Sequence, residues 1–169
     1  MAAHADRDDE VDLLIDAWSR RLPEADLSPL DVMSRLRRVS LRLARLRSDA
    51  FRAAGLAAWE FDVLAALGRA EPVHELNPAQ LIERTMISSG AMTNRLGHLA
   101  ERGLIERAPN PQDGRSVLVR LTPAGAERVD AAMTELVRRE ELELQPLRRQ
   151  DRDELVRLLR LLGEGSRGL

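Results

Sequence analysis

Cysteine is absent from the 169 residues. That absence removes disulfides, thiol nucleophiles and cysteine-based redox sensing together. Histidine is scarce: His4, His74 and His98 are scattered without ligand spacing, so no zinc site is expected. Lysine does not occur, so every fixed side-chain cation is a guanidinium. Arginine suits phosphate contacts and bidentate recognition, although a compositional bias of the genome accounts for this usage more simply. No window approaches the ~18 apolar residues that a membrane helix needs. The first residues, Met1 to Glu10, are acidic and polar rather than a secretory signal. The expectation is a cytoplasmic protein without membrane contact. No nucleophile–base pair, phosphate loop or metal cluster is found, so neither an enzyme nor a cofactor is expected. The many carboxylates read as solvated helix faces.

Hydrophobic residues make up 44% and charged residues 32%, the balance of one soluble globular chain with a sizeable core. The net charge of −2 does not announce nucleic-acid binding, but the charges are unevenly placed. Met1–Asp31 carries nine acids against Arg7, Arg20 and Arg21, whereas Ser34–Arg52 carries seven arginines against Asp49 alone.

Hydrophobic spacing predicts a helix over Asp8 to Leu22, with Val11, Leu14, Ile15, Trp18 and Leu22 on one stripe and Pro23 ending it. Ser28–Pro29–Leu30–Asp31 reads as a helix start with Ser28 as N-cap, and that helix runs to a stop at Gly55. A third helix covers roughly Ala57 to Ala70. A short helix from Asn77–Pro78 to about Thr85 is followed by a turn. Ser88 can then cap another helix running to Arg102, stopped by Gly103. Leu104–Ala108 and Val117–Leu121 are predicted strands, joined by a polar loop from Pro109 to Ser116. Thr122–Pro123 opens a long helix to about Leu147, and Gln150 to Leu162 forms a last one. The fold class is mainly α with a small β-hairpin wing (α+β), in a winged helix-turn-helix arrangement.

Two features suggest DNA reading. At about 100° per residue, Met92, Leu96 and Leu99 of the helix after Ser88 share one direction, and Gly90, Thr93, Asn94 and Gly97 fall opposite. Ser89 and His98 flank that small, polar face, whose Thr and Asn can hydrogen-bond base edges or phosphates. An ordinary solvated helix face is the equal alternative. The hairpin weighs against it. A β-ribbon directly after such a helix, with Asp113–Gly114–Arg115 at its tip, has the layout of a wing. Arg115 could enter the minor groove there, and Asp113 could hold the wing by pairing with an arginine.

The segments Leu81 to Arg107, Pro109-Asn-Pro-Gln-Asp-Gly-Arg-Ser116 and Leu121-Thr-Pro-Ala-Gly125 resemble the MarR family of transcriptional regulators, and the resemblance extends from Ser28 to Leu162. It implies an obligate homodimer with terminal helices at the interface and two winged lobes on a pseudo-palindromic, double-stranded operator. Residues 8–56 would then hold N-terminal helices for ligand and dimer contacts, 57–122 the DNA-binding lobe and 123–163 the C-terminal dimerisation helices. Val129, Met133, Leu136, Val137, Leu155, Leu158, Leu159 and Leu162 supply more apolar stripe than one thin lobe needs.

The extra N-terminal helix with Trp18 is similar to that of the urate-responsive, PecS-like branch. The branch pattern falls on Trp18, Asp62 in Glu60-Phe-Asp-Val-Leu64, Arg95 in Met92-Thr-Asn-Arg-Leu96, and Arg107 in Leu104-Ile-Glu-Arg107. Trp18, Asp62 and Arg95 are thereby implied as the ligand site, and Arg107 as a DNA contact or relay. From the helical period, Arg95 leans about 60° from the apolar direction, and a guanidinium leaning inward wants a carboxylate or an anionic ligand. Asp62 is a plausible partner. Trp18 could stack on a flat heterocycle, or serve as core on its stripe. An Arg95–Asp62 ion pair without ligand is the structural alternative. The function implied is a repressor released from its operator by a small aromatic anion such as urate. The alternatives are the same fold with another effector or none, and a helical interaction dimer that does not bind DNA. Salt-dependent DNA binding would separate the last from the rest.

Overall fold

The computed structural model describes residues 9–85, 87–111 and 113–165, with the side chains of 113–115 and 165 left out. Its order is α1 (Glu10–Arg21), α2 (Ser28–Ala53), α3 (Ala58–Gly68), β1 (Glu75–Leu76), α4 (Pro78–Thr85), α5 (Ser89–Glu101), β2 (Ile105–Asn110), β3 (Asp113–Leu121), α6 (Pro123–Leu144) and α7 (Arg149–Gly165). The chain forms two compact units, one ending at Arg45 and one beginning at Leu46.

In the first unit, Asp9 caps α1: its carboxylate accepts from the backbone N–H of Val11 and Asp12, and the Asp12 carboxylate accepts from the Asp9 N–H. This reciprocal arrangement satisfies three otherwise unpaired donors. Arg35 of α2 donates to the same two acids, to Asp9 at 2.9 Å and Asp12 at 2.7 Å, and also pairs with Asp31. Ser28 lies within α2 rather than outside it as the expected N-cap, and its backbone N–H donates to the Asp26 carboxylate. The acid two residues upstream has taken the role predicted for the serine. The α1 stripe is largely uncovered in one chain. Val11 is buried, but Leu14, Trp18 and Leu22 are exposed, so Trp18 is not a core residue of a single chain.

In the second unit, α3 packs on α4 and α6, and α4 packs on α5. Their shared core contains Leu64, Leu67, Leu81, Met92, Leu96, Leu99 and Val119, all buried. Burying each such side chain stabilises the fold by about 1.5–3 kcal/mol. Phe51 stacks on Phe61 with ring centroids 3.9 Å apart.

The sheet is antiparallel in the order β1-β3-β2. Two of its features depart from the sequence expectation. Glu75–Leu76, which lies between two predicted helices and carries no strand signal, forms a third strand paired with Arg120 and Val119. The hairpin strands also extend into the predicted loop, so that Pro109 pairs with Val117 and Asn110 with Asp113. Pro109 is tolerated because β2 is an edge strand and the missing N–H faces away from the ladder. The Asn110 side-chain amide donates to the Ser116 hydroxyl at 2.9 Å across the shortened turn.

Candidate functional site

The site is built around α5. Ser88 occupies its N-cap position with extended backbone, φ −63° and ψ 151°, but its hydroxyl makes no capping bond. That hydroxyl is therefore available to a partner, and the exposed first turn of a helix favours anions. Gly103, at φ +68°, ends the helix through a left-handed residue as the sequence predicts. Met92, Leu96 and Leu99 are buried, whereas Ser88, Ser89, Gly90, Thr93 and Asn94 are exposed. A Cβ added at Gly90 or Gly97 would meet nothing within 4 Å. The face predicted for base reading thus lies open.

The other end of α5 is held by groups that the sequence reading did not single out. Glu60 is only 3% exposed. One of its carboxylate oxygens accepts from the Ala57 backbone N–H at 2.8 Å, and the other accepts from Arg102 at 2.5 Å. Arg102 also donates to the Gly55 carbonyl at 2.8 Å. Burial raises the Glu60 carboxyl, but the Arg102 and Ala57 hydrogen bonds and the nearby Arg102 and His98 charges outweigh it and hold the group below its ordinary value. Ala57 has no polar side chain with which to cap α3, and Glu60 makes the reciprocal half of a capping box by accepting from the N–H of Ala57. After α5, Thr122 donates to the Gly103 carbonyl at 2.8 Å and accepts from the Gly125 N–H at 3.0 Å.

Arg95 is half-buried, in accord with its inward lean, but its partner differs from the one expected. Its guanidinium lies 5.1 Å from the centroid of the Trp59 ring, a cation–π arrangement, and no ion pair joins it to Asp62. Asp62 keeps much of its surface in solvent. Crowding by neighbouring atoms nevertheless raises its carboxyl above the ordinary value, against the charges of Arg47, Arg69 and Arg95. Trp18 belongs to the first unit, where Arg21 lies over its ring at 5.7 Å. Trp59 could have been noticed in the sequence as an aromatic one turn before Asp62's own turn ends, but nothing in periodicity ties it to Arg95. His98, expected to flank the DNA face, is exposed, and its Nε2 lies 3.4 Å from Glu60. Arg107 is exposed on β2 opposite Val119, on the sheet face that carries Ile105. The side chains of Asp113 and Arg115 lie outside the described residues. Among the described residues, no group of three or more His, Asp or Glu is placed to hold a metal, and no helix is long and apolar enough to cross a membrane.

Comparison with known proteins matches residues 54–116 to the model of the MarR family. The HTH-type transcriptional regulator PecS of Dickeya dadantii is 33% identical over 150 residues, which cover 89% of this chain and 90% of that protein. A cysteine-to-serine variant of E. coli MarR, solved in complex with operator DNA, superposes with a TM-score of 0.66 at 27% identity, covering 82% of this chain and 99% of that one. Bordetella bronchiseptica BpsR, solved in a study of the regulation of its DNA binding by 6-hydroxynicotinic acid, has a TM-score of 0.63 at 26% identity, with 78% and 92% covered.

Proposed function

Because the chain belongs to the MarR family of transcriptional regulators, we propose that it is a homodimeric repressor that leaves its operator when a small aromatic anion such as urate binds beside Arg95. The family is one of DNA-binding regulators and not of enzymes. The observation that carries the DNA-binding part is the two-sidedness of α5. Met92, Leu96 and Leu99 anchor one side in the core, and Ser88, Ser89, Gly90, Thr93 and Asn94 stand open on the other. Such a helix can enter a major groove about 12 Å wide and present hydrogen-bonding groups to base edges. Thr93 and Asn94 would read bases, and Ser88 and Ser89 would contact phosphate at the helix start. The wing, through Arg115 and with Arg107 nearer the lobe, would add contacts to the minor groove and backbone.

The effector part rests on Arg95. A guanidinium parked on an indole ring rather than on a carboxylate can exchange that contact for an anionic ligand without abandoning an ion pair. Asp62 offers a carboxylate that can accept a hydrogen bond from a purine N–H. Release then follows from a population shift. The ligand displaces the repressor only if it binds better to a spacing of the two lobes that cannot meet successive major grooves, about 34 Å apart. A second reading keeps the fold and the site but takes an aromatic carboxylic acid, and the BpsR comparison favours it.

The deciding experiment is a gel-shift on DNA upstream of the chain's own gene, with and without urate, beside Arg95→Ala. A complex that urate dissolves for the wild type but not for the variant supports regulator and site together. A complex indifferent to urate but dissolved by 6-hydroxynicotinic acid selects the second reading. Binding that does not weaken with salt would count against operator recognition altogether.

A further inference from the structure

Arg95 and His98 of α5 and Arg102, its C-cap residue with αR backbone, stand at i, i+3 and i+7, so they form one stripe along the helix. All three meet the first turn of α3. The Arg95 guanidinium lies 5.1 Å from the Trp59 ring centroid, and the His98 ring is 5.7 Å from the same centroid, tilted by 54°. His98 Nε2 is 3.4 Å from a Glu60 oxygen that also accepts from Arg102 at 2.5 Å. Glu60 is itself fixed. Its second oxygen holds the Ala57 N–H, and Arg102 spans onward to the Gly55 carbonyl. On the far side of that loop, Arg128 of α6 donates to the Ala54 carbonyl at 3.0 Å.

We propose that the Trp59–Glu60 pair sets the roll of α5 about its own axis, making both positioning residues for base reading by Thr93 and Asn94. This rests on the reading of α5 as the DNA-recognition helix. The apolar contacts of Met92, Leu96 and Leu99 are non-directional. They fix which side of the helix faces inward but tolerate small rotations. At the ~5–6 Å radius of helix side chains, a roll of about 20° carries a side-chain tip through about 2 Å. Donor–acceptor distances in good hydrogen bonds span only about half an ångström, so such a roll would lose base contacts while leaving the core assembled. Glu60 and Trp59 touch no base on this account; they act through the arginine and histidine stripe.

The test compares wild type with Glu60→Gln, Trp59→Phe and Arg102→Gln. Each is measured on the duplex that the wild type selects from a random-sequence pool, on an unrelated duplex of equal length, and by thermal melting. Gln at 60 can still accept from Ala57 but loses the charge that holds Arg102. The expected result for Glu60→Gln is a loss of roughly tenfold or more on the selected duplex, little change on the unrelated one, and flattened penalties for single base-pair changes. Arg102 is partly exposed, so Arg102→Gln carries the same expectation if Glu60→Gln fails to fold. Trp59→Phe retains a ring but weakens the cation–π contact, and a smaller change in the same direction is expected. Lower melting temperatures with an unchanged ratio of selected to unrelated affinity would overturn the proposal and leave the cluster a stability element. A wild type with no DNA preference at all would defeat the recognition-helix reading and this inference with it. A wild-type preference fully kept by the variants would defeat this inference alone.

Discussion

A Cβ on Gly125 would stand 2.1 Å from the Leu104 carbonyl oxygen and 2.9 Å from the Leu121 side chain. The nearer obstacle is backbone, so it cannot swing aside. Gly125→Ala is therefore expected to lower stability by about 1–3 kcal/mol or more, read from urea midpoints at fixed protein concentration. Gly97→Ala is the contrast, since nothing obstructs the added methyl group. It should raise stability by about 0.5–1 kcal/mol while weakening operator binding if that face enters a groove. Glu60 makes a prediction of another kind. Its folded carboxyl lies below the ordinary value of 4.5. The stabilisation it adds is complete above that value and is lost as pH falls through the depressed one. The stability gap between wild type and Glu60→Gln should be widest at neutral pH and narrow well under pH 4.5. A gap independent of pH would mean that the charge of Glu60 does not matter to folding. The exposed residues of the site were legible in sequence because one helical period assigns a face. Glu60 was not, because its partner Arg102 is forty-two positions away, and no local pattern reports a contact across that distance. The same limit hid the contact of Trp59 with Arg95, thirty-six positions apart.

At the scale of the element, α5 owes its recognisability to punctuation at both ends. Ser88 starts it and Gly103 stops it, and both positions agree with the sequence expectation. The capping bond itself is missing at Ser88, and at α2 the cap is supplied by Asp26 instead. A residue type suited to a cap marks a boundary without guaranteeing the hydrogen bond. The strands of the wing run further than its turn-forming residues imply. Its Pro and Asn residues signal turns, yet β2 is an edge strand where proline costs no ladder bond. The two-residue β1 carries too little alternation to be seen, and it exists because β3 offers it a partner. If α5 is the reading element, Thr93→Ala and Asn94→Ala should each weaken operator binding by about 1–3 kcal/mol. Both side chains are exposed, so the melting temperature should hardly move. Equal losses on operator and unrelated DNA would reassign them to phosphate contacts.

At the scale of the whole molecule, the apolar surface of one chain is the informative quantity. Leu155, Leu158, Leu159 and Leu162 follow helical spacing along α7 and are each at least 40% exposed, and Met133 and Val137 of α6 are exposed as well. Leu14 and Trp18 of α1 and Leu22, its C-cap residue, are likewise open. Isolated surface leucines need no explanation, but repeated stripes of them mark an interface. The excess of stripe is visible in sequence; what covers it is not, since periodicity carries no trace of the partner surface. One chain supplies one α5 and one wing, whereas a two-fold pair presents two and matches the symmetry of a palindromic site. The double substitution Leu158→Glu with Leu159→Glu places two charges on that stripe without entering the core around Leu64 and Leu99. Sedimentation should then show a species of 18.9 kDa in place of one twice as heavy. Operator affinity should fall far more than half-site affinity, because the two contacts are no longer linked at high effective concentration. A variant that keeps the heavier mass and full operator affinity would remove α7 from the interface and turn attention to the exposed stripe of α1.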